Sequence, residues 1–174
     1  MTTIFDALRS SHRDVEELFG DLQNAIATQQ VELAKTLFQL VSMKLIASMS
    51  AEHAVVYPRF AHEANLGDEV AQALREHDGI TRMIDLLRIG GLDYDDWCES
   101  VAQLGGLVAD HSDCEECVLF PIAGLSLSTE ALHTLAAEYE DAVKRTRPIS
   151  GASITYALPE PELARPVIVH FRAA

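Results

Sequence analysis

Positive charge is scarce in this chain: 13 Lys and Arg stand against 27 Asp and Glu, a formal net charge of −14. Phosphate contacts need clustered Lys and Arg, so this balance speaks against a nucleic-acid binder. Cysteine is scarcer still, with Cys98, Cys114 and Cys117 alone. Three thiols are too few for a disulfide scaffold and fit a reducing, cytoplasmic setting. Cys114 and Cys117 form a CxxC, yet a structural zinc would need two further thiols or imidazoles at suitable spacing, and only Cys98 remains. A redox CxxC sits at a helix N-terminus, whereas this one falls in mid-helix. Packing roles are therefore expected. Cys114 could also lie just behind His111, less than a quarter-turn away at ~100° per residue. Long apolar runs are missing as well: charge interrupts each one well before membrane-spanning length. The start, Met1-Thr2-Thr3-Ile4-Phe5-Asp6, has no basic stretch followed by an apolar core, so no signal peptide is expected. Low-complexity tracts and solenoid repeats are absent too.

What the chain does have is an apolar fraction of 48% over 174 residues, enough for one full core. Helical periodicity dominates it. Thr2 or Thr3 can cap a first helix with apolar positions Ile4, Leu8, Val15, Leu18, Phe19, Leu22 and Ile26. A second helix is expected from about Val31 to Ala61, kinked or weakened near its end by Pro58. Asp68 can cap a third helix to about Ile89, which Gly90-Gly91 ends. A fourth runs from about Asp93 to Ala123, with Gly105-Gly106 inside it and Pro121 echoing Pro58. Ser128 or Thr129 opens a fifth that ends near Arg145. The expected architecture is all-α: an up-down four-helix bundle with an additional C-terminal helix. Residues 1–147 form the bundle and 148–174 an extended tail. Pro148, Pro159, Pro161 and Pro166 forbid a continuous helix in that tail, and its apolar residues favour packing along the bundle over disorder.

Four of the helical segments carry a histidine at similar depth: His12, His53, His77 and His111. His111 belongs to an HxxxE with Glu115, and residues four apart lie one turn apart on one helical face. That geometry lets one imidazole and one carboxylate reach a single metal, or lets the carboxylate bridge two metals inside a bundle. A weak two-fold echo strengthens the reading. Aligned on Tyr57-Pro58 and Phe120-Pro121, Glu52 matches Glu115 and Ser48 matches His111, while His12 and His77 take equivalent places in helices one and three. Two such half-sites describe a carboxylate-bridged dinuclear centre. His62, His133 and His170 lack a partnering pattern and read as solvated. Tyr57 reads as core, and Glu16 as a surface acid or a residue standing behind the ligands.

From Ile4 to Arg145 the sequence resembles the hemerythrin-like, or HHE cation-binding, family. The family pattern is a His on helix one, HxxxE on helix two, a His on helix three and HxxxE on helix four. His12, His77 and the pair His111 and Glu115, followed by Phe120-Pro121, fit the first, third and fourth places. Helix two departs from it: Glu52 is present, but Ser48 stands where the pattern has His. His53, one residue past Glu52, points ~100° away and can replace it only if the helix rotates or distorts. Glu16 and Tyr57 are further substitutes.

The resemblance implies a non-heme di-iron centre held by His12, Glu52, His53, His77, His111 and Glu115. Manganese or a single iron would also suit imidazole and carboxylate donors. It implies reaction with dioxygen or peroxide, and a missing imidazole at position 48 would open one ion further to a small organic substrate. The expected function is therefore a redox enzyme, an oxidase, oxygenase or peroxide consumer. The alternative is a non-enzymatic binder or sensor of oxygen, nitric oxide or iron.

Overall fold

The computed structural model describes residues 2–146, and every regular element among them is helical. Seven α segments follow in order: α1 Ile4–Ala27, α2 Val31–Ala51, α3 Tyr57–Glu63, α4 Gly67–Ile89, α5 Tyr94–Cys114, α6 Phe120–Ser126 and α7 Thr129–Thr146. Two π-helical turns, Glu52–Val56 and Glu115–Leu119, join α2 to α3 and α5 to α6, so seven segments make five rods. This is the expected all-α bundle with its additional helix. The tail expected over 148–174 lies outside the described residues. No described helix is long and apolar enough to cross a membrane.

Helix starts follow side-chain chemistry. Thr3 caps α1 in a reciprocal box: its hydroxyl accepts from the Asp6 backbone N–H at 3.3 Å, while the Asp6 carboxylate accepts from the Thr3 N–H at 2.9 Å. Asp93 caps α5 by accepting from the Asp96 N–H at 2.9 Å, and Ser128 accepts from the Ala131 N–H before α7. The expected Asp68 cap differs. Leu66 is the capping residue of α4 and has no side-chain bond, so Asp68 sits in the first turn, where its charge complements the helix dipole. Gly90, at φ 80°, ends α4 in a conformation that costs a side chain dearly.

Helix α1 packs on α2 and α5, α4 on α5, and α7 lies across α1 and α2. The apolar stripes meet in two clusters rather than one. The first gathers Ile4, Leu8, Val56, Phe60, Leu66, Val70, Leu119, Phe120, Leu135 and Tyr139. The second gathers Val15, Phe19, Leu22, Phe38, Leu45, Ile80, Ile84, Trp97, Leu104 and Val108. Between them runs a polar layer. His12 falls between Leu8 and Val15, Ser48 and Glu52 between Leu45 and Val56, His77 between Ala73 and Ile80, and His111 and Glu115 between Val108 and Leu119.

Candidate metal centre

The two π turns decide which side chains enter this layer. Pro58 and Pro121 lack an N–H and cannot continue an α-helical ladder from below. Each instead becomes the second residue of a fresh helix, where no donor is needed. The turn before it closes five residues back: the Tyr57 N–H bonds to the Glu52 carbonyl, and the Phe120 N–H to the Glu115 carbonyl. Residue i+5 therefore returns to the face of residue i. Glu52 brings Tyr57 with it, and Glu115 brings Phe120.

Glu52, His77, His111 and Glu115 are all buried, between 0 and 6% exposed. One donor atom from each of Glu52, His77 and His111 lies within 4.8 Å of the others. His77 Nε2 stands 2.9 Å from His111 Nε2 and 3.2 Å from Glu52 Oε2. Glu115 reaches both ways: Oε2 is 3.2 Å from His12 Nε2 and 3.9 Å from His111 Nε2. Tyr57 completes the group, its hydroxyl 2.8 Å from Glu115 Oε1 and 3.2 Å from His77 Nε2. Among the histidines, the ion-pair partner of Glu52 is His77.

Two further carboxylates fix ring orientation. His12 Nδ1 lies 2.8 Å from Glu116 Oε1, and His111 Nδ1 lies 2.9 Å from Glu76 Oε2. A carboxylate only accepts, so each Nδ1 carries the proton and each Nε2 faces the layer. Metal-binding histidines have this arrangement, with the second nitrogen tied to a carboxylate. Neither Glu76 nor Glu116 was singled out as a site residue by the sequence, and the partner of His111 lies on another helix, so no local spacing announces it.

His53 stands outside the cluster. It is exposed, and its ring stacks on His77 at 5.2 Å and 15°. The π turn was the distortion that could have swung it inward, but the turn delivers Tyr57 instead. His53 still obeys the two-fold echo: it covers the histidine of the neighbouring helix, as its equivalent Glu116 does on His12. Ser48 does face the layer. Its hydroxyl donates to Glu52 Oε1 at 2.6 Å and lies 2.8 Å from the Tyr139 hydroxyl and 3.1 Å from Ser11 Oγ. The phenol of α7 thus fills the space above Ser48. Cys114 is half-buried and Cys117 exposed.

The electrostatics show what the layer needs. Burial raises the cost of ionising Glu52, yet its hydrogen bond to His77 and the nearby imidazole charge hold its carboxyl below the usual range. Burial lowers the His12 pKa, but the Glu115 and Glu116 carboxylates outweigh it and raise it to about 9. Burial, then Glu115 and Glu52, push the Tyr57 phenol far above its ordinary value. The ion-pair partners of Glu52 and Glu115 are histidines. Two fully buried carboxylates call for positive charge, which an imidazolium or a metal cation can supply.

The residues fit a metal on structural grounds. With Nδ1 protonated, His111 offers only a lone pair at Nε2, directly opposite His77 Nε2. With the His77 proton on Nδ1, which is buried with no partner, two bare Nε2 lone pairs face each other at 2.9 Å, a repulsion that a cation held by both removes. Acceptors outnumber protons across the layer, and imidazole plus carboxylate suits iron, manganese or zinc. Beside the layer is a cavity of about 20 Å³ lined by His12, Glu52, His77 and His111 with Val15, Leu45, Met49, Ile80 and Val108. A wider surface groove of about 410 Å³, between Ala54 and Arg145, touches none of these residues.

Comparison with known proteins agrees with this geometry. The family model described as the hemerythrin HHE cation binding domain matches residues 3–148. A curated protein named DNA nickase, from Nostoc sp., is 27% identical over 154 residues, covering 88% of this chain and 43% of the nickase. The chain thus spans less than half of that relative's length. No solved structure matches the chain.

Proposed function

The chain belongs to the hemerythrin HHE cation-binding family, and from that premise we propose that it holds non-heme iron in the polar layer and reacts there with dioxygen or peroxide as a small redox enzyme. The observation that carries this reading is the convergence of His77 Nε2, His111 Nε2 and Glu52 on one buried point, with Glu115 linking that point to His12. His77, His111 and Glu52 would hold one ion, and His12 with Glu115 would hold a second.

Bound there, iron supplies the one-electron steps and the open coordination position that dioxygen and peroxide require. The chain's own residues do the rest. Glu76 and Glu116 hold the imidazoles in the tautomer that presents Nε2. Ser48, in contact with the Tyr139 hydroxyl, holds Glu52 Oε1. Val15, Leu45, Met49, Ile80 and Val108 keep bulk water from the layer. The cavity suits a small reactant: a water needs roughly 10–15 Å³, and about 20 Å³ fits a diatomic or peroxide.

The same narrow cavity favours a second reading, reversible binding of oxygen or nitric oxide without turnover. The nickase name does not transfer: less than half of that protein is matched, and a net charge of −14 repels phosphate. The test loads the full chain with ferrous iron under argon, desalts it, measures iron per chain, and then follows oxygen and peroxide consumption beside the optical spectrum. Iron retention with catalytic consumption supports the enzyme. A spectrum that reverts on removing oxygen, without consumption, supports the carrier. Chain that keeps no iron after desalting ends both.

A further inference from the structure

We propose that Tyr57 is itself a metal ligand of the layer, a phenolate joining His77 and the two buried carboxylates on the side of Glu52 away from Ser48. The proposal rests on the iron reading above and names a donor that the family pattern places elsewhere.

Four observations converge on it. First, the π turn exists at the right place. It returns residue 57 to the face of residue 52, so one helix presents a carboxylate and a phenol to the same point. Second, Tyr57 is 2% exposed, and its hydroxyl meets polar atoms from three rods: Glu115 Oε1 at 2.8 Å, His77 Nε2 at 3.2 Å and Glu52 Oε2 at 3.5 Å. A phenol has one proton and can satisfy one of them. A cation shared by all four atoms satisfies every lone pair. Third, the spacing suits a common coordination sphere. Donors at about 2.1 Å from a metal and at right angles to each other lie roughly 3 Å apart, and the three distances from the hydroxyl bracket that value. Fourth, the chain makes this choice once. The equivalent residue after the second π turn is Phe120, on the helix whose HxxxE keeps its histidine. The phenol appears only on the helix that has lost one. Of the other substitutes, Glu16 is exposed and His53 is spent on the outer face of His77; the Tyr139 hydroxyl is engaged with Ser48.

Phenolate is a hard anionic oxygen donor that iron accepts readily. Coordination exchanges the O–H bond for an oxygen–metal bond, and the proton leaves to solvent.

The test is spectroscopic. The full chain is loaded with ferrous iron under argon, desalted, oxidised with air, and assayed for iron per chain. Ferric iron bound to phenolate has a visible ligand-to-metal charge-transfer band, and excitation within it enhances the phenolate ring vibrations in the Raman spectrum. The expected result is a band in the parent, lost in Tyr57→Phe while iron is still retained, and kept in Tyr139→Phe. Iron bound without the band, or a band that survives Tyr57→Phe, overturns the proposal and leaves the iron reading standing. A parent that holds no iron overturns both. If Tyr57→Phe does not fold, the double variant Tyr139→Phe, Tyr156→Phe decides. It retains Tyr57 and Tyr94, and Tyr94 lies in the other apolar cluster against Trp97. A band kept in that variant supports Tyr57, and a band lost from it refutes the assignment.

Discussion

Replacing Ser48 by histidine would restore the family's imidazole, one turn before Glu52, in the spacing of His111 and Glu115. The structure predicts that the substitution alone fails. Ser48 is 7% exposed, and its Oγ is already 2.6 Å from Glu52 Oε1, 2.8 Å from the Tyr139 hydroxyl and 3.1 Å from Ser11 Oγ. An imidazole adds about four heavy atoms to a space already taken by the Tyr139 hydroxyl, and overpacking of this kind costs ~1–3 kcal/mol. At 2–4 °C per kcal/mol for a chain of this size, Tm should fall by roughly 2–12 °C. Shortening Tyr139 should relieve it. In Ser48→His, Tyr139→Leu the two costs should not add, and the double-mutant cycle should show a favourable coupling of at least about 1 kcal/mol. That double variant should also hold iron at lower free concentrations than the parent. Thermal melting of all four proteins, metal-free and iron-loaded, provides the measurement. Additivity within about 0.5 kcal/mol, or a single Ser48→His variant as stable as the parent, would refute the argument that Tyr139 occupies the missing ligand's place.

His111→Ala should abolish most iron retention, whereas His53→Ala should leave it close to the parent value, because only His111 aims a ring nitrogen into the layer; iron per chain after desalting checks the order. Glu76→Gln and Glu116→Gln should each weaken iron binding about 10–100-fold without unfolding the chain, as competition against a chelator would show. Thr3→Ala removes the hydroxyl of the α1 capping box and should cost about 1 kcal/mol, a fall of roughly 2–4 °C in Tm, while iron content stays unchanged.

The rods were legible because their signals are local. Apolar spacing, Thr3, Asp93, Ser128 and Gly90 mark where helices run and stop, and each works through neighbours a few residues away. His12, His77, His111, Glu52 and Glu115 were legible for a related reason: equal depth along packed rods brings them to one level. The π turns were only half visible. Pro58 announces a disturbance, and the sequence reads it as a kink or a weakened end; that the backbone answers with one wide turn, and so turns Tyr57 inward, is not written in the local spacing. The Glu76–His111 and Ser48–Tyr139 contacts span 35 and 91 residues. Nothing in the local pattern of either partner encodes the other.

The polar layer has a consequence for how the bundle holds together. Because it separates the two apolar clusters, hydrocarbon is not continuous from one end of the rods to the other. Each end is a short stack with its own burial energy, and the floor between them is made of ionisable groups whose desolvation opposes folding. The stacks are therefore coupled through the helical backbones and the charge balance of that floor. A cation that neutralises the floor binds only when both ends are in place, so its binding energy adds to folding. It also ties two locally stable units into one. Iron occupancy would then set the cooperativity of the whole bundle. A bound chain melts as a single unit, and a stripped one is free to loosen from either end.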